Sequence, residues 1–189
     1  ALDARVRLHY KAHYPVFSSP VVSDETLYFS TTNGYLYAVD GNAQTWPREH
    51  EIKPLWTELF AFGIPGIPPP PPQSGLIWRL RVGRTTNSSP VVTDDTSYIG
   101  SGNKLVAIDL ENQQILWEFE AEGTISSSPA VIDTTIYVGS EDGRLYALDA
   151  ATGEKLWDII TGDKITSSPA VADGTVYIGS HDGNLYAIE

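Results

Sequence analysis

The tripeptide Ser-Ser-Pro occurs four times, at Ser18-Ser19-Pro20, Ser88-Ser89-Pro90, Ser127-Ser128-Pro129 and Ser167-Ser168-Pro169, and it constrains the fold more tightly than any other feature. The prolines stand 70, 39 and 40 residues apart, a period near forty whose first interval carries an insertion of about thirty. A fixed period of this size marks a stacked array of supersecondary units, each too small to bury its own apolar face. The unit has to be identified before any single residue is given a role.

After each Ser-Ser-Pro come two small or β-branched residues, as in Ala130-Val131, then a polar turn such as Asp173-Gly174. A strand follows, for example Thr175-Val176-Tyr177-Ile178-Gly179-Ser180, and then Asn33-Gly34, Asp142-Gly143 or Asp182-Gly183. These pairs are hairpin signals, and a type I′ turn with positive φ at both central residues is expected of them. A third strand such as Leu145-Tyr146-Ala147-Leu148-Asp149 leads to a Trp-bearing fourth, Lys155-Leu156-Trp157-Asp158-Ile159-Ile160. Four antiparallel strands per forty residues is the arithmetic of a propeller blade. Apolar positions alternate with period two, and Gly and Pro recur too often for helical repeats.

The expected fold is therefore an all-β propeller of about four blades in a single domain, 1–189. Its parts are an N-terminal closing strand 5–12, a blade 13–82 interrupted by an insertion 41–75, and blades 83–120, 121–161 and 162–189. Ala1-Leu2-Asp3-Ala4 repeats the end of a third strand, Ala147-Leu148-Asp149-Ala150, and the last unit stops at Leu185-Tyr186-Ala187-Ile188-Glu189 without an outer strand. The alternating segment Arg5-Val6-Arg7-Leu8 is expected to complete that blade and hide its edge. The exchange can run within one chain, giving four blades, or between two chains, giving a two-fold ring of eight.

The unit Ala147-Leu148-Asp149-Ala150-Ala151-Thr152-Gly153-Glu154-Lys155-Leu156-Trp157 has the pattern A-x-D-x-x-T-G-x-x-x-W. Ala107, Asp109 and Trp117 keep the spacing with Asn112 and Gln113 in place of Thr and Gly, and Ala38, Asp40, Gly75 and Trp78 keep it around the insertion. The pattern resembles the tryptophan-docking motif of the pyrroloquinoline-quinone (PQQ)-like propellers. That family includes BamB-type outer-membrane assembly scaffolds, sensor domains of bacterial kinases, and quinoprotein dehydrogenases. The resemblance implies blade-docking roles for Trp78, Trp117, Trp157, Asp40, Asp109, Asp149 and Gly153. Physics agrees: an indole laid on the next blade is a large burial of fixed geometry, needed once per blade. The Asp residues are expected to accept turn N–H groups.

The resemblance also raises a PQQ- and Ca²⁺-dependent dehydrogenase. No catalytic or metal-ligating constellation is found for it, and no Asp or Glu is read as standing outside a position that the repeat explains; no cofactor is therefore expected. His9 and His13 lie about 13 Å apart along a strand, too far for one metal. His181 takes the turn position of Glu141, and the Ser pairs are read as lining the ring centre. With 12 Lys and Arg against 24 Asp and Glu, the net charge of −12 speaks against nucleic acid as partner. There is no Cys. No apolar run reaches the roughly 20 residues that would span a bilayer. The chain begins without Met and is read as mature or excised, of periplasmic or extracellular origin.

The insertion 41–75 is the one segment the repeat leaves unexplained. Trp46, Leu55, Trp56, Leu59, Phe60, Phe62 and Pro70 are its candidate partner-binding residues. Pro54 to Phe62 is expected to form two helical turns opened by Pro54, and Pro68 to Pro72 a stiff polyproline spacer. The function expected is a non-catalytic scaffold for a protein partner or small ligand. The alternatives are a quinoprotein dehydrogenase fragment or a carbohydrate-binding propeller.

Overall fold

A computed structural model describes residues 6–189 and contains fifteen strands and one helix among them. Three sheets are four-stranded antiparallel meanders. The first is β1 (Val21–Ser23), β2 (Thr26–Thr31), β3 (Tyr35–Asp40) and β4 (Leu76–Arg81), with helix α1 (Glu49–Ala61) between its last two strands. The second is β5 (Val91–Thr93), β6 (Thr96–Ser101), β7 (Lys104–Asp109) and β8 (Gln114–Glu120). The third is β9 (Ala130–Ile132), β10 (Thr135–Gly139), β11 (Arg144–Asp149) and β12 (Lys155–Ile160). The fourth holds only β13 (Ala170–Ala172), β14 (Thr175–Gly179) and β15 (Leu185–Ile188). The four-blade reading of the repeat holds.

The core lies between blades. One buried cluster joins Leu36 and Ala38 of the first blade to Ile99, Val106 and Ile108 of the second. Another joins Leu105 and Ala107 to Ile136, Val138 and Leu148, and a third joins Leu145 to Ile165, Val176 and Ile178. Alternation on β7 and β11 sends Leu105, Ala107 and Leu145 to the following blade and Val106, Ile108, Tyr146 and Leu148 to the preceding one, so both faces are apolar.

The Ser-Ser-Pro segments sew the inner strands together. The first Ser of each pair takes a backbone N–H from the end of the second strand in its own blade: Ser18 Oγ from Ser30 (2.8 Å), Ser88 from Gly100 (3.1 Å), Ser127 from Gly139 (3.3 Å) and Ser167 from Gly179 (3.1 Å). The second Ser links blades. Ser19 N–H donates to Ser89 Oγ (2.8 Å), Ser89 N–H to Ser128 Oγ (2.9 Å) and Ser128 N–H to Ser168 Oγ (3.1 Å). The hydroxyls read as channel lining thus form a relay from blade to blade.

Three expectations need correction. Asn33, Asp142 and Asp182 do not take positive φ; only Gly34 (82°), Gly143 (84°) and Gly183 (86°) do. Gly143 N–H donates to Ser140 O and Asp142 Oδ1 accepts Arg144 N–H (2.9 Å), so the loop is a three-residue hairpin closed by a left-handed glycine. Two-residue turns with both residues left-handed occur instead at Asp24-Glu25 (44° and 67°) and Asp173-Gly174 (51° and 79°). Secondly, α1 starts at Glu49, so Pro54 lies inside it rather than opening it. The two acids of its first turn, Glu49 and Glu51, suit the positive end of the helix dipole.

Thirdly, no N-terminal strand completes the last blade within the chain: among the described residues, β15 pairs with β14 alone, and residues 6–12 lie beside the first blade. The expectations for Ala1 to Arg5 fall outside the described residues.

Candidate functional site at the insertion and the blade edges

The docking residues form repeated units. Tyr28, Tyr98 and Tyr137 tilt against Trp78, Trp117 and Trp157 of their own blades, with centroids 5.8–5.9 Å apart. Trp117 Nε1 and Tyr98 OH both donate to Ala150 O of the following blade, each at 3.1 Å. Gly153 (φ 74°) carries the indole, and a Cβ there would come 2.4 Å from Trp117 Cε3. Asp149 Oδ1 accepts Ala151 N–H (3.0 Å) and Thr152 N–H (2.9 Å), Asp109 Oδ1 accepts Asn112 N–H (2.8 Å), and Asp40 Oδ1 accepts Asn42 N–H (2.7 Å). The Asn112 contacts hold the Asp109 carboxyl below its ordinary value.

A second blade-to-blade link comes from the hairpin Asp residues, which sequence reasoning treated as turn formers only. Asp142 Oδ2 accepts Glu122 and Gly123 N–H (3.2 Å each) from the preceding blade and the Tyr146 hydroxyl (2.8 Å). Asp182 Oδ2 repeats the device on Gly162 N–H (2.7 Å) and the Tyr186 hydroxyl (2.5 Å). Those hydrogen bonds, the Tyr186 one first, hold the Asp182 carboxyl down to about 2. The signal was visible: both Asp precede a Gly and lie four residues before a Tyr.

The insertion folds as α1 with the proline run returning along it. Trp56 Nε1 donates to Pro68 O (2.9 Å), and Ile52, Leu55, Trp56, Leu59, Ile67 and Pro68 line a groove of about 230 Å³. Leu55 is 57% exposed and Phe62 82%, with Ile52 and Phe60 also exposed; Trp46 and Pro70 are half-buried. Five of the seven candidate residues (Leu55, Trp56, Leu59, Phe60 and Phe62) belong to α1 and its C-terminal cap.

The other side of α1 faces the N-terminal segment. Glu49 is 1% exposed; its Oε1 accepts Ser74 N–H (2.7 Å), while Oε2 has no partner among the described residues. It floors a cleft of about 420 Å³ that includes Lys11, His13, His50, Lys53 and Gln73. Burial lowers the Lys53 amine, and the Glu49 charge opposes that shift. Sequence reasoning missed Glu49, since nothing in a single-copy insertion distinguishes a buried acid from a solvated one.

Residues 7, 9 and 11 are gripped by the insertion through their backbones. Thr45 N–H donates to Arg7 O (3.3 Å) and His9 N–H to Thr45 Oγ1 (2.7 Å), while His50 Nε2 meets His9 O (2.7 Å). The Gln73 amide brackets Lys11, accepting its N–H and donating to its carbonyl (3.0 Å). On the alternate positions, Tyr10 stands edge-on to Phe29 and Tyr37 (5.9 Å each), and burial pushes its hydroxyl up to about 12.

Among the described residues, no group of three or more His, Cys, Asp or Glu converges in a way that could hold a metal ion.

Trp-docked, Ser-sewn four-stranded blades define the molecule as a PQQ-type repeat propeller. The model of the family described as "Outer membrane protein assembly factor BamB" matches residues 71–189, and the chain belongs to that family. BamB from Moraxella catarrhalis has the same fold at 19% identity and a TM-score of 0.69; the match covers 95% of this chain and 48% of that one, so the chain spans about half its length. The computationally designed Ika4 protein matches at 13% identity with a TM-score of 0.72, covering 99% of this chain and 98% of that one. The designed Ika8 protein matches at 13% and 0.66, covering 91% and 45%. No curated protein matches the sequence.

Proposed function

We propose that the chain is a non-catalytic propeller scaffold, periplasmic or extracellular, that holds a protein partner through the insertion in its first blade. The observation that carries this reading is the braced helix α1, which presents Ile52, Leu55, Phe60 and Phe62 to solvent beside a groove sized for an apolar side chain. Aromatic and aliphatic anchors on a rigid support are what protein interfaces use as hot spots. Family membership supports the same reading, since the family is described as an outer membrane protein assembly factor. The Glu49 cleft offers one buried carboxylate among cationic neighbours, which suits holding a polar group of that partner.

Genetic placement of a photo-crosslinking residue at Leu55 or Phe60 tests it in producing cells. A discrete protein adduct is expected that the same residue at Ile132, exposed on the third blade, does not give. The double variant Leu55→Asp/Phe60→Asp should abolish binding of that protein while leaving the β-sheet circular dichroism unchanged. An adduct indifferent to those charges overturns the reading. Saturable binding of PQQ with Ca²⁺ and dye-linked turnover of an alcohol would replace it with the dehydrogenase, and selective retention of a glycan with the carbohydrate-binding propeller.

A further inference from the structure

Helix α1 has two working sides. Ile52, Leu55, Trp56 and Leu59 line the apolar groove, while Glu49, Lys53 and Thr57, successive turns of the helix, line the cleft on the other side. The cleft draws on three separate segments of the chain: Lys11 with His13, the polar side of α1, and Gln73. Its parts are held in place. Ser74 N–H fixes Glu49 Oε1 (2.7 Å), and the Gln73 amide fixes the Lys11 backbone, donating to its carbonyl at 3.0 Å. Glu49 is 1% exposed, yet its Oε2 has no partner among the described residues. An unpaired carboxylate oxygen in a buried setting destabilises the fold that holds it. A strong acceptor kept in that condition at the floor of a cleft of about 420 Å³ is a group poised for a donor from outside the chain.

The charges of the cleft select that donor. Lys11 and Lys53 stand against Glu49 and Glu58, two cations and two anions. A ligand with a positive charge alone would pair with Glu49 but face both lysines. One with a negative charge alone would pair with the lysines but face Glu49. A ligand that carries both charges satisfies each side and adds no net charge. Burial lowers the Lys53 amine, and a carboxylate beside it would offset that desolvation. Glu49 and Lys53 are one turn apart, about 5–6 Å at Cβ, a span that an ammonium and a carboxylate on a single carbon bridge. No Trp, Tyr or Phe lines the cleft, so it offers a nucleobase no stacking platform.

We propose that the cleft is a binding site for a free α-amino acid, with its ammonium on Glu49 Oε2 and its carboxylate between Lys11 and Lys53. Pro54 and Thr57 supply apolar surface for the ligand's own side chain. The site lies across α1 from Leu55 and stands whether or not the groove holds a protein partner.

Calorimetric titration of the whole chain with each of the common L-amino acids tests it. At least one should bind saturably, at one site per chain. Its amide keeps only the ammonium and its N-acetyl derivative only the carboxylate, and each should bind roughly tenfold or more weakly. Glu49→Gln, which keeps an acceptor for Ser74 N–H, should weaken the amino acid by a similar factor. Lys53→Met, at a half-buried position, should weaken the amino acid but leave its amide unaffected, a split that misfolding would not give. A chain that binds no amino acid would overturn the proposal, and so would full binding by Glu49→Gln. An amide as tight as its amino acid would make the cleft a site for a lone cation, and an equally tight N-acetyl derivative a site for a lone anion; either result overturns it too. A crosslink at Leu55 reads the groove alone, so the two readings fail separately.

Discussion

At the scale of the residue, repetition separates structure from function, and Gly153 shows why. It takes a left-handed φ of 74° and lies under Trp117, so a methyl there suffers both backbone and steric strain. Gly153→Ala should cost about 2–4 kcal/mol, combining the left-handed penalty with core overpacking, as read from urea unfolding. Gln113, the equivalent residue one blade earlier, already takes φ 56° with a side chain, so Gln113→Gly should be close to neutral or stabilising. Asp182 gives the residue-scale pH dependence. Its carboxyl is held down to about 2 in the folded chain, against about 3.9 unfolded. The stability it contributes is therefore complete above the unfolded value and is lost as pH falls toward 2. The Tm of the wild-type chain should drop between pH 4 and pH 2, and Asp182→Asn should lower Tm at neutral pH while flattening that slope. An unchanged slope would mean that the Tyr186 and Gly162 hydrogen bonds do not hold the charge.

At the scale of the element, α1 and residues 6–12 form one unit with the first blade. Grafting the five-residue turn 150–154 in place of 41–75 should leave the β1–β4 sheet intact but release the segment that Thr45, His50 and Gln73 grip. Trypsin should then cut after Lys11 markedly faster than in the parent, with the blades still resistant; equal rates would refute the clamp. The strands were legible in the sequence because each blade repeats the same register, so four copies of Ser-Ser-Pro and three of Asp…Trp located the blades before any contact was known. The hairpin type was not: Asp142-Gly143 reads as a two-residue turn, and the Ser140 N–H to Arg144 O bond (2.9 Å) reveals three. The insertion was the least legible element. Its grip on residues 7–11 spans about 34 to 62 positions in sequence and uses single side chains, with no second copy to compare. The frame of Leu8, Tyr10 and Ala12 could be counted from Pro20, but their face could not, because it depends on which side Thr45 and Gln73 occupy.

At the scale of the whole molecule, a stack of blades behaves as a one-dimensional array in which each unit is stabilised by its neighbours. The second and third blades have both faces covered, while the fourth is covered on one face only, Val176 and Ile178 packing back onto Leu145. Were the chain to act alone, amides of β14 should exchange well before those of β6 and β10, because local opening there exposes a single junction. Exchange of the β14 amides together with those of β6 and β10 would show that the array does not open blade by blade.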